Sequence, residues 1–592
     1  MKIALVGAEL EENLGLRYMA SSLEANKHQT QIISFNSNYD QPKVVQEILN
    51  FNPQIIGLSM VFTSRAREFL QLAQSLRDAG FGGHIVAGGH FASFNSEQLL
   101  AEYPSINSVA LGEGEDLMVS LTKNLNQLSL VAALCYRNTD GTIKCNPSSG
   151  NREDLDSLPF PKREHFHEYF GKKISSILSS RGCWRNCAFC SINAWYEQGG
   201  GKKFRYRSVE NIVAEMKQLC FENGIRIFNF QDDNFFLPNQ RQAIERFRLL
   251  RDRLKQEKIE GIAIAIKARP ESINTESIKI LDDLGLFRVF LGVENASANG
   301  LKNLNRIQTI EQTLNALTVL NDFDIHVAYN FLMFEPDASM ADILLNIRFM
   351  ERHLDNPFNF CRAEAYAGTG LEAKLKAENR LLGSYFGFDY RLTDPKCEIF
   401  HQIANYAFFD RNFSDYGLHY FNMQVDFYFQ LLRRFYPNLL SETLRSEVKN
   451  FIKQTNLDTY HWLSEIYDFV SEGNHDEAAI ANFTQQARAQ IDMKSSMLRL
   501  QGQAIIDWME EAYKNLDSPT KTIPKIYAQV NSRHSPYSAS AGKTSFQNQA
   551  LGSQAGVIDL IGLSPDVIPY NFFKKKLVHG EFQGLHRKAR SQ

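Results

Sequence analysis

Three cysteines, Cys183, Cys187 and Cys190, stand close together in the sequence. The whole chain has only eight cysteines in 592 residues, and such crowding is not how a disulfide framework is distributed. Thiolates bind iron readily, and three of them on a short loop can hold three corners of a cubane iron–sulfur cluster. The fourth iron then has no cysteine ligand and can bind another molecule. The spacing therefore predicts a cluster that binds a small molecule as well as passing electrons.

Other uses of cysteine fit this spacing less well. Structural zinc normally takes four protein ligands, and no fourth Cys or His stands at the expected distance. The bacterial ferredoxin run has a different spacing and a Cys-Pro end, whereas Ser191 follows Cys190 here. Burial of three cysteines as small apolar side chains is the remaining alternative.

Strands and helices must position this loop, which follows an apolar strand predicted over residues 174–178. From residue 173 to residue 380, apolar runs alternate with amphipathic helical runs, in roughly six strand and helix pairs. That number suffices for a partial (β/α)6 barrel with the cysteine loop at its mouth. The fold class is therefore α/β in this region.

A similar alternation fills the N-terminal region and predicts a doubly wound, Rossmann-like parallel sheet covered by helices on both faces. Ligands of such sheets bind beyond the carboxyl ends of the strands. The residues at three of these ends are therefore candidate binding residues: Ser59, Met60, Val61, Gly88, Gly89, His90, Gly112, Glu113 and Gly114.

The cysteine pattern C-x3-C-x-aromatic-C after the first barrel strand resembles the signature of the radical S-adenosylmethionine (SAM) enzymes. Residues 230–235, 291–295 and 365–371 are similar to later strand segments of that family, although Asn295 replaces Ser and Ala367 replaces Pro. The resemblance implies a [4Fe–4S] cluster on the three cysteines, with SAM on the open iron and cleaved to a 5'-deoxyadenosyl radical. It also implies the following SAM contacts, for each of which a structural role is the alternative: Phe189, Asp232, Arg269 and Glu294.

The N-terminal domain resembles the cobalamin-binding domain of the cobalamin-dependent radical SAM enzymes. The resemblance implies that the strand-end glycines admit the nucleotide tail of cobalamin, and that Met60 or a neighbour packs beneath the corrin ring. The first strand lacks a following D-x-H-x-x-G, so no His is expected there as a lower cobalt ligand. A flavodoxin-like domain that binds nothing is the alternative, because fold does not imply function.

The two resemblances together imply a cobalamin-dependent radical SAM methyltransferase. Hydrogen abstraction from an unactivated carbon would precede methyl transfer from methylcobalamin, which a second SAM would regenerate. A rearrangement or oxidation without methyl transfer uses the same cofactors, and a cobalamin or iron–sulfur sensor is an alternative of another class. The expected partners are a small-molecule or peptide substrate and an electron donor such as flavodoxin or ferredoxin.

Composition excludes other classes. With a net charge of −3, the chain lacks the excess of basic residues that binding to nucleic acid requires. Neither a signal peptide nor a run of about 18 apolar residues is present, which predicts a cytoplasmic protein without a membrane span. The predicted divisions are a cobalamin-binding domain (1–135), a linker (136–172), the radical SAM core (173–380), a mainly helical domain (381–530) and a flexible connector with a tail (531–592).

Overall fold

A computed structural model describes residues 1–414, 417–473 and 475–516. Its N-terminal domain alternates strands with helices, as predicted. The strands are β1 (Lys2–Gly7), β2 (Gln29–Ser34), β3 (Ile55–Ser59), β4 (His84–Gly88), β5 (Ser108–Ala110), β6 (Leu134–Arg137) and β7 (Ile143–Cys145). The helices are α1 (Leu14–Ala25), α2 (Gln41–Phe51), α3 (Ala66–Asp78), α4 (His90–Phe94), α5 (Ser96–Glu102) and α6 (Glu115–Lys123).

The first sheet has the strand order β2-β1-β3-β4-β5-β6-β7. Strands β1 to β5 are parallel, which confirms the doubly wound sheet, and β6 and β7 are antiparallel additions. Cys135 pairs with Cys145 across β6 and β7, and a disulfide bond joins the two. The first part of the segment predicted as a linker thus extends this sheet, because its polar, period-free sequence hid two short edge strands.

The second domain is the predicted partial barrel. Its strands are β8 (Glu168–Tyr169), β9 (Lys172–Ile177), β10 (Ser180–Arg181), β11 (Arg205–Tyr206), β12 (Ile225–Phe230), β13 (Ala263–Ala268), β14 (Leu286–Leu291), β15 (His326–Phe334), β16 (Phe358–Arg362), β17 (Leu382–Ser384) and β18 (Gly387–Asp389). Its helices are α7 (Ile192–Gly199), α8 (Val209–Glu222), α9 (Gln240–Gln256), α10 (Thr275–Leu284), α11 (Ala298–Asn303), α12 (Ile310–Asp322), α13 (Met340–Arg352) and α14 (Gly370–Ala377). The sheet order β16-β15-β14-β13-β12-β9-β8 gives six parallel strands and one antiparallel edge strand, β8.

Side-chain caps start most helices of this barrel. Each capping oxygen accepts a hydrogen bond from the first turn, which satisfies a backbone N–H that the helix itself leaves unpaired. Thr309 and Ser339 form full capping boxes, in which the side chains of Gln312 and Asp342 accept hydrogen bonds from the backbone N–H groups of the two capping residues. These residues mark where each strand-to-helix loop ends, so the loops at the mouth of the barrel have defined lengths. The caps of α8, α9, α10, α12, α13 and α14 are Ser208, Asn239, Asn274, Thr309, Ser339 and Thr369.

The C-terminal domain is helical, as predicted, and it fills the concave face of the half-barrel. Its helices are α15 (Pro395–Ala407), α16 (Phe409–Phe413), α17 (Leu418–Phe435), α18 (Glu442–Glu472) and α19 (Glu477–Lys514). Phe427 and Phe429 of α17 share a buried cluster with Ala263 and Ala265 of β13. Small alanines let the helix approach the sheet closely. The aromatics of this region are therefore core residues, and residues 517–592, including the predicted connector and tail, lie outside the described residues.

Among the described residues, no helix combines the length and apolar character that crossing a bilayer requires.

Buried ion pairs join the first domain to the barrel. Arg181, on β10, binds Glu113 at 2.9 Å and Glu115 at 2.6 Å, and Arg205 also binds Glu113. Glu12, in the loop after β1, accepts hydrogen bonds from Ser175 and Ser176 of β9, as well as an ion pair from Arg163. Both contacts lie at carboxyl ends of strands in the first sheet. The sheet edges at which ligands bind therefore face each other across the domain interface.

Replacing Arg181 should destabilise the domain interface. Arg181→Met leaves Glu115 buried without its charged partner, and losing one member of a buried pair costs about 3–5 kcal/mol. We expect a thermal midpoint several degrees lower. Lys202→Met, which breaks an exposed pair with Glu153, is the control and should cost less than about 1 kcal/mol.

The pH dependence provides a second measurement on the same variant. Burial alone would raise the pKa of Glu113, but Arg181 and Arg205 hold this pKa below its ordinary value. The stabilisation by these ion pairs is therefore present above the ordinary glutamate pKa, and it is lost as the pH falls through the lowered pKa of Glu113. The gap in thermal midpoint between wild type and variant should shrink below about pH 4. A gap that is constant with pH would contradict this role.

Candidate active site

The three cysteines lie on one loop between β10 and α7. Cys187 is buried, Cys183 and Cys190 are half-buried, and none of them forms a disulfide bond. Gly182 starts this loop with a φ of +82°, and a Cβ there would lie within 1.8 Å of the carbonyl oxygen of Lys203. Only glycine fits such a turn. The residue that allows the strand to turn into the cysteine loop therefore stands directly before the first thiol.

Protein groups surround these thiols closely. Arg269 Nη1 lies 3.3 Å from the sulfur of Cys187, and Arg306 Nη1 lies 3.5 Å from it. Burial raises the pKa of Cys183, and raises that of Cys190 to about 12. Free thiols in this setting keep their protons at neutral pH, so a bound metal must displace them. The two guanidinium groups then offset the negative charge that results.

The donor set fits a [4Fe–4S] cluster with one open iron. Among the described residues, no three His, Cys, Asp or Glu side chains are gathered closely enough to enclose a single metal ion. The cysteines of a cubane each bind a different iron, and their sulfurs therefore stand further apart than ligands around one ion. Three thiols on one loop, flanked by cationic groups, match this requirement.

Arg269 and Glu294 lie beside the cysteine loop, at the ends of β13 and β14. Arg269 Nη2 is buried and has no hydrogen-bond partner among the described residues, so it can still bind an acceptor such as the SAM carboxylate. Glu294 has a φ of +64°, and its carboxylate is 17% exposed and 3.5 Å from Arg306. Burial raises its pKa. Phe189 is half-buried against the barrel core.

Asp232 lies where sequence reasoning put it, but its carboxylate is already used. It accepts hydrogen bonds from the backbone and hydroxyl of Ser179 and from the hydroxyl of Ser180. Its side chain is fully buried. This arrangement gives Asp232 a structural role, the alternative stated for it from the sequence, because its carboxylate holds the end of β9. Its contact with SAM stays a prediction.

The neighbouring Asp233 was missed, and it faces the cysteines instead. It interacts electrostatically with Cys183 and Cys190, and it accepts a hydrogen bond from Gly182 N at 3.1 Å. Asp233 is exposed, yet desolvation by the surrounding protein raises its pKa to about 6. The Asp233 carboxyl group therefore borders the space beside the cysteine loop, which we call the chamber. Both carboxylates lie in the loop after β12, where strand alternation no longer applies, so the sequence pattern does not distinguish Asp233 from Asp232.

Cys361 and Glu364, after β16, are further residues that sequence reasoning missed. Both are half-buried, burial raises both pKa values, and both groups interact electrostatically with their surroundings: Cys361 with Glu294 and Glu364, and Glu364 with Arg362. The chamber between the two domains therefore holds several carboxyl groups beside the cysteine loop. No spacing signature in the sequence distinguishes these residues.

The ends of β3 and β4 in the first domain, where cobalamin contacts are predicted, are only partly buried. Ser59, Val61, Gly88 and Gly89 are half-buried, although the strands themselves are mostly buried. Gly89 has a φ of +94°, and a Cβ there would lie 3.0 Å from the Met60 backbone. These residues fit the close approach of a large ligand.

Met60 and the loop after β5 make contacts within the protein. Met60 is fully buried in the domain core. Glu113 is bound to Arg181 and Arg205, as described above. Gly112 packs on Gly199 of α7, and a Cβ at Gly114 would lie 2.6 Å from the sulfur of Met19. Each of these four residues therefore has a structural role, and their contact with cobalamin stays a prediction.

His90 connects the two domains at the mouth of the barrel. Its ring stacks on Trp195 of α7 with 4.5 Å between centroids, and its Nε2 has no hydrogen-bond partner among the described residues. Burial lowers its pKa to about 4, so the imidazole is neutral. The indole of Trp195 donates to Ser93 Oγ at 3.2 Å. Trp195 was missed because nothing in its local sequence indicates this contact.

The hairpin of β17 and β18 spans from the barrel edge to the first domain. Tyr385 donates a hydrogen bond to Glu102 at 2.6 Å, and Phe386 lies 4.1 Å from the Arg67 guanidinium. A cavity of about 470 Å³ lies beneath it, with Phe94 and Lys376 on its walls. The hairpin therefore connects β16, the edge strand of the half-barrel, to the first domain.

Two family models match the chain in the regions just described. The model of the B12 binding domain matches residues 3–122, and that of the Radical SAM superfamily matches residues 177–350. Both matches agree with the fold, since the first covers the doubly wound sheet and the second covers most of the half-barrel.

The relatives are enzymes. An uncharacterized methyltransferase of Pyrococcus horikoshii is 28% identical over 66% of this chain and 83% of its own length. Cytidylyl-2-hydroxyethylphosphonate methyltransferase of Streptomyces wedmorensis is 26% identical over 55% and 69%. An anaerobic magnesium-protoporphyrin IX monomethyl ester cyclase of Rubrivivax gelatinosus is 24% identical over 55% and 60%. The names therefore include two kinds of reaction.

A solved structure shares the fold across most of the chain. The cobalamin-dependent S-adenosylmethionine radical enzyme OxsB, with aqua-cobalamin bound, has a TM-score of 0.63. The match covers 90% of this chain and 83% of that chain at 17% identity. The likeness includes regions outside both family models, such as the helical C-terminal domain.

Removing any one loop cysteine should abolish the cluster. Cys183→Ala, Cys187→Ala and Cys190→Ala are each expected to lose the visible absorption and most of the iron and sulfide after anaerobic reconstitution, because a cubane held at two corners is labile. Cys220→Ala, at a buried thiol of α8, is the control and should keep both. A single loop variant with full iron content would contradict the assignment.

Substitutions at Asp232 and Asp233 should have different effects, the first on the stability of the protein and the second on its affinity for SAM. Asp232→Ala leaves several buried donors unpaired, at about 1–3 kcal/mol for each group, so its thermal midpoint should fall. Asp233→Asn should keep the wild-type midpoint but bind SAM about ten- to hundredfold more weakly, the loss expected for one charge-assisted hydrogen bond. Calorimetric titration with SAM of the reconstituted proteins measures this. If Asp233→Asn binds SAM as tightly as the wild type does, a hydrogen bond between Asp233 and SAM is excluded.

Proposed function

The chain belongs to the cobalamin-dependent radical SAM enzymes, and on this premise we propose that it is a methyltransferase acting on an unactivated carbon. The observation that carries the proposal is the name of the relative that matches 66% of this chain, a methyltransferase, together with a methyltransferase and a methylase that each match 55%. The cofactors of this family are a [4Fe–4S] cluster, SAM and cobalamin. When bound, they supply hydrogen abstraction and the methyl group.

The protein's own residues have three tasks in this proposal. Cys183, Cys187 and Cys190 hold the cluster. Arg269 binds the SAM carboxylate through its unpaired Nη2, and Glu294 accepts hydrogen bonds from the ribose hydroxyls. Asp233 accepts a hydrogen bond from the SAM amino group, a task first predicted for its neighbour.

The first domain brings the second cofactor to the same chamber. Ser59, Val61, Gly88 and Gly89 form the edge on which cobalamin is proposed to lie, with His90 beside it. Because the interdomain ion pairs turn this edge toward the cysteine loop, a substrate between the two can reach both cofactors. Holding reactants in one orientation is a large part of what a protein contributes to such a reaction.

Packed elements adjoin the barrel on two sides. Helix α17 packs against the barrel sheet, and the hairpin of β17 and β18 connects β16 to the first domain. A dry chamber protects a reactive carbon from side reactions. These features support radical chemistry on an enclosed substrate.

A second candidate function is rearrangement or oxidation without methyl transfer. The cyclase of Rubrivivax gelatinosus supports it, because that relative matches 55% of this chain and its name describes ring formation. Both reactions consume SAM to 5'-deoxyadenosine. Only methyl transfer also yields S-adenosylhomocysteine and a labelled product.

The test uses SAM carrying a deuterated methyl group. The anaerobically reconstituted enzyme, loaded with cobalamin, is reduced with dithionite and given the small-molecule fraction of a cell extract. We expect 5'-deoxyadenosine, S-adenosylhomocysteine and one extract compound heavier by a deuterated methyl group. The Cys187→Ala variant should form neither deoxyadenosine nor labelled product. Deoxyadenosine with a new unlabelled product, and without adenosylhomocysteine, would favour the second candidate.

A further inference from the structure

Lys267, on β13, is a charged side chain inside the half-barrel that none of the functions assigned above uses. It alternates along the strand with Ala263 and Ala265, which pack against α17 on the concave face of the sheet. Since every second side chain of a strand points to the same face, Lys267 points into the barrel, where it is half-buried. Its backbone stands two residues before Arg269, which places it about 7 Å further from the mouth of the barrel.

The Lys267 ammonium lacks a fixed partner within the part of the chain that the structure describes, where it makes neither a hydrogen bond nor an ion pair. Asp233 is near enough to interact with it electrostatically, and this interaction lowers the pKa of Asp233 against the larger effect of burial. The carboxylate of Glu11 accepts a hydrogen bond from Gln231 instead. A half-buried charge without a partner is costly, which indicates that a ligand supplies the missing negative charge.

Binding of SAM increases this need for a negative charge. Under the proposed function the SAM amino group binds Asp233, so one carboxylate then faces two cations, the amino group and the Lys267 ammonium. The SAM carboxylate is assigned to Arg269, whose Nη2 is unpaired among the described residues. One positive charge inside the barrel therefore stays without a counter-charge until the substrate arrives.

An apolar surface lies beside the ammonium. Phe290 of β14 is the register neighbour of Lys267, and Ala328 of β15 is the register neighbour of Phe290. Phe290 is half-buried and packs on a small cluster of Ala328 with Met423 of α17. Two residues after Ala328, Oδ1 of Asn330 is buried without a hydrogen-bond partner among the described residues. We call the space that these five residues border the lysine pocket, and it offers a cation, an apolar wall and an unused hydrogen-bond acceptor.

We propose that the substrate is a small organic anion, and that the Lys267 ammonium binds its negatively charged group in the lysine pocket. A carboxylate or a phosphate ester supplies the missing charge, and the carbon skeleton beside it lies against Phe290. Fixing the charged end in this way orients the skeleton for reaction. The inference rests on the proposed function, because it names the class of compound on which that site acts, and it applies equally to the second candidate reaction.

Fractionation of the cell extract tests the substrate class. The small-molecule extract is passed over a strong anion exchanger at pH 7, and the retained and unretained fractions are given separately to the reconstituted, dithionite-reduced enzyme with SAM. We expect only the retained fraction to stimulate formation of 5'-deoxyadenosine. Alkaline phosphatase then distinguishes the two sources of charge, since it removes the stimulation by a phosphate ester and leaves that by a carboxylate. Stimulation by the unretained fraction alone overturns the proposal.

Substitution of Lys267 tests the residue itself. Lys267→Met keeps most of the side-chain length but removes the charge. We expect it to need about ten- to hundredfold more of the retained fraction for half-maximal stimulation, the loss expected for one hydrogen bond between charged groups. Lys267→Arg should recover part of this loss. Lys279→Met, at an exposed lysine of α10, is the matched control and should respond as wild type does.

Two results with the methionine variant would overturn the proposal. One is a response to the retained fraction equal to that of wild type. The other is a weaker affinity for SAM in calorimetric titration, because the ammonium would then serve SAM and not the substrate. We expect Lys267→Met to have the iron content and the SAM affinity of wild type.

A binding measurement with inorganic phosphate separates this proposal from the proposed function. The phosphorus NMR signal of phosphate broadens when the ion lies near the paramagnetic reduced cluster. S-adenosylhomocysteine is added so that Arg269 is occupied. We expect broadening with wild type and much less with Lys267→Met, whereas equal broadening overturns the anion site. If phosphate binds through Lys267 but no extract compound gains a deuterated methyl group, methyl transfer fails as the function and the anion site stands.

Discussion

The placement of the candidate site depends on a buried ionic contact between the first two domains. Arg181 binds Glu113 and Glu115 in surroundings from which water is excluded. Charges buried in this way are costly unless they are paired, so the contact tolerates little sliding of one domain over the other. Arg181 stands two residues before Cys183. The side chain that docks the domains thus also fixes where the cysteine loop begins.

This contact has a functional consequence, because it turns two ligand-binding edges toward each other. A parallel sheet binds its ligands at the carboxyl ends of its strands, and both sheets present those ends to one chamber. The second contact, between Glu12 and Ser175 and Ser176, holds the first barrel strand in the same orientation. Under the proposed function, a substrate held between these edges reaches both cofactor sites.

A second buried charge, Asp426, joins the helical domain to the barrel. Helix α17 occupies the far end of the barrel, where Asp426 binds both His326 and Arg445. Burial would raise the pKa of Asp426, but Arg445 and His326 hold it well below its ordinary value, and the carboxylate stays charged.

The sequence by itself determined the features that depend on local spacing. Cysteines a few residues apart share a loop wherever that loop lies, and alternating apolar runs form parallel strands and covering helices because each must bury one face. The half-barrel, the doubly wound sheet and the cysteine loop could therefore be predicted. Only tertiary structure decided which polar groups remain available to a ligand. Asp232 meets Ser179 and Ser180, Glu113 meets Arg181, and these partners lie more than 50 residues away in the chain. Periodicity cannot choose between two adjacent carboxylates, since the choice depends on which distant residues the fold brings against each of them.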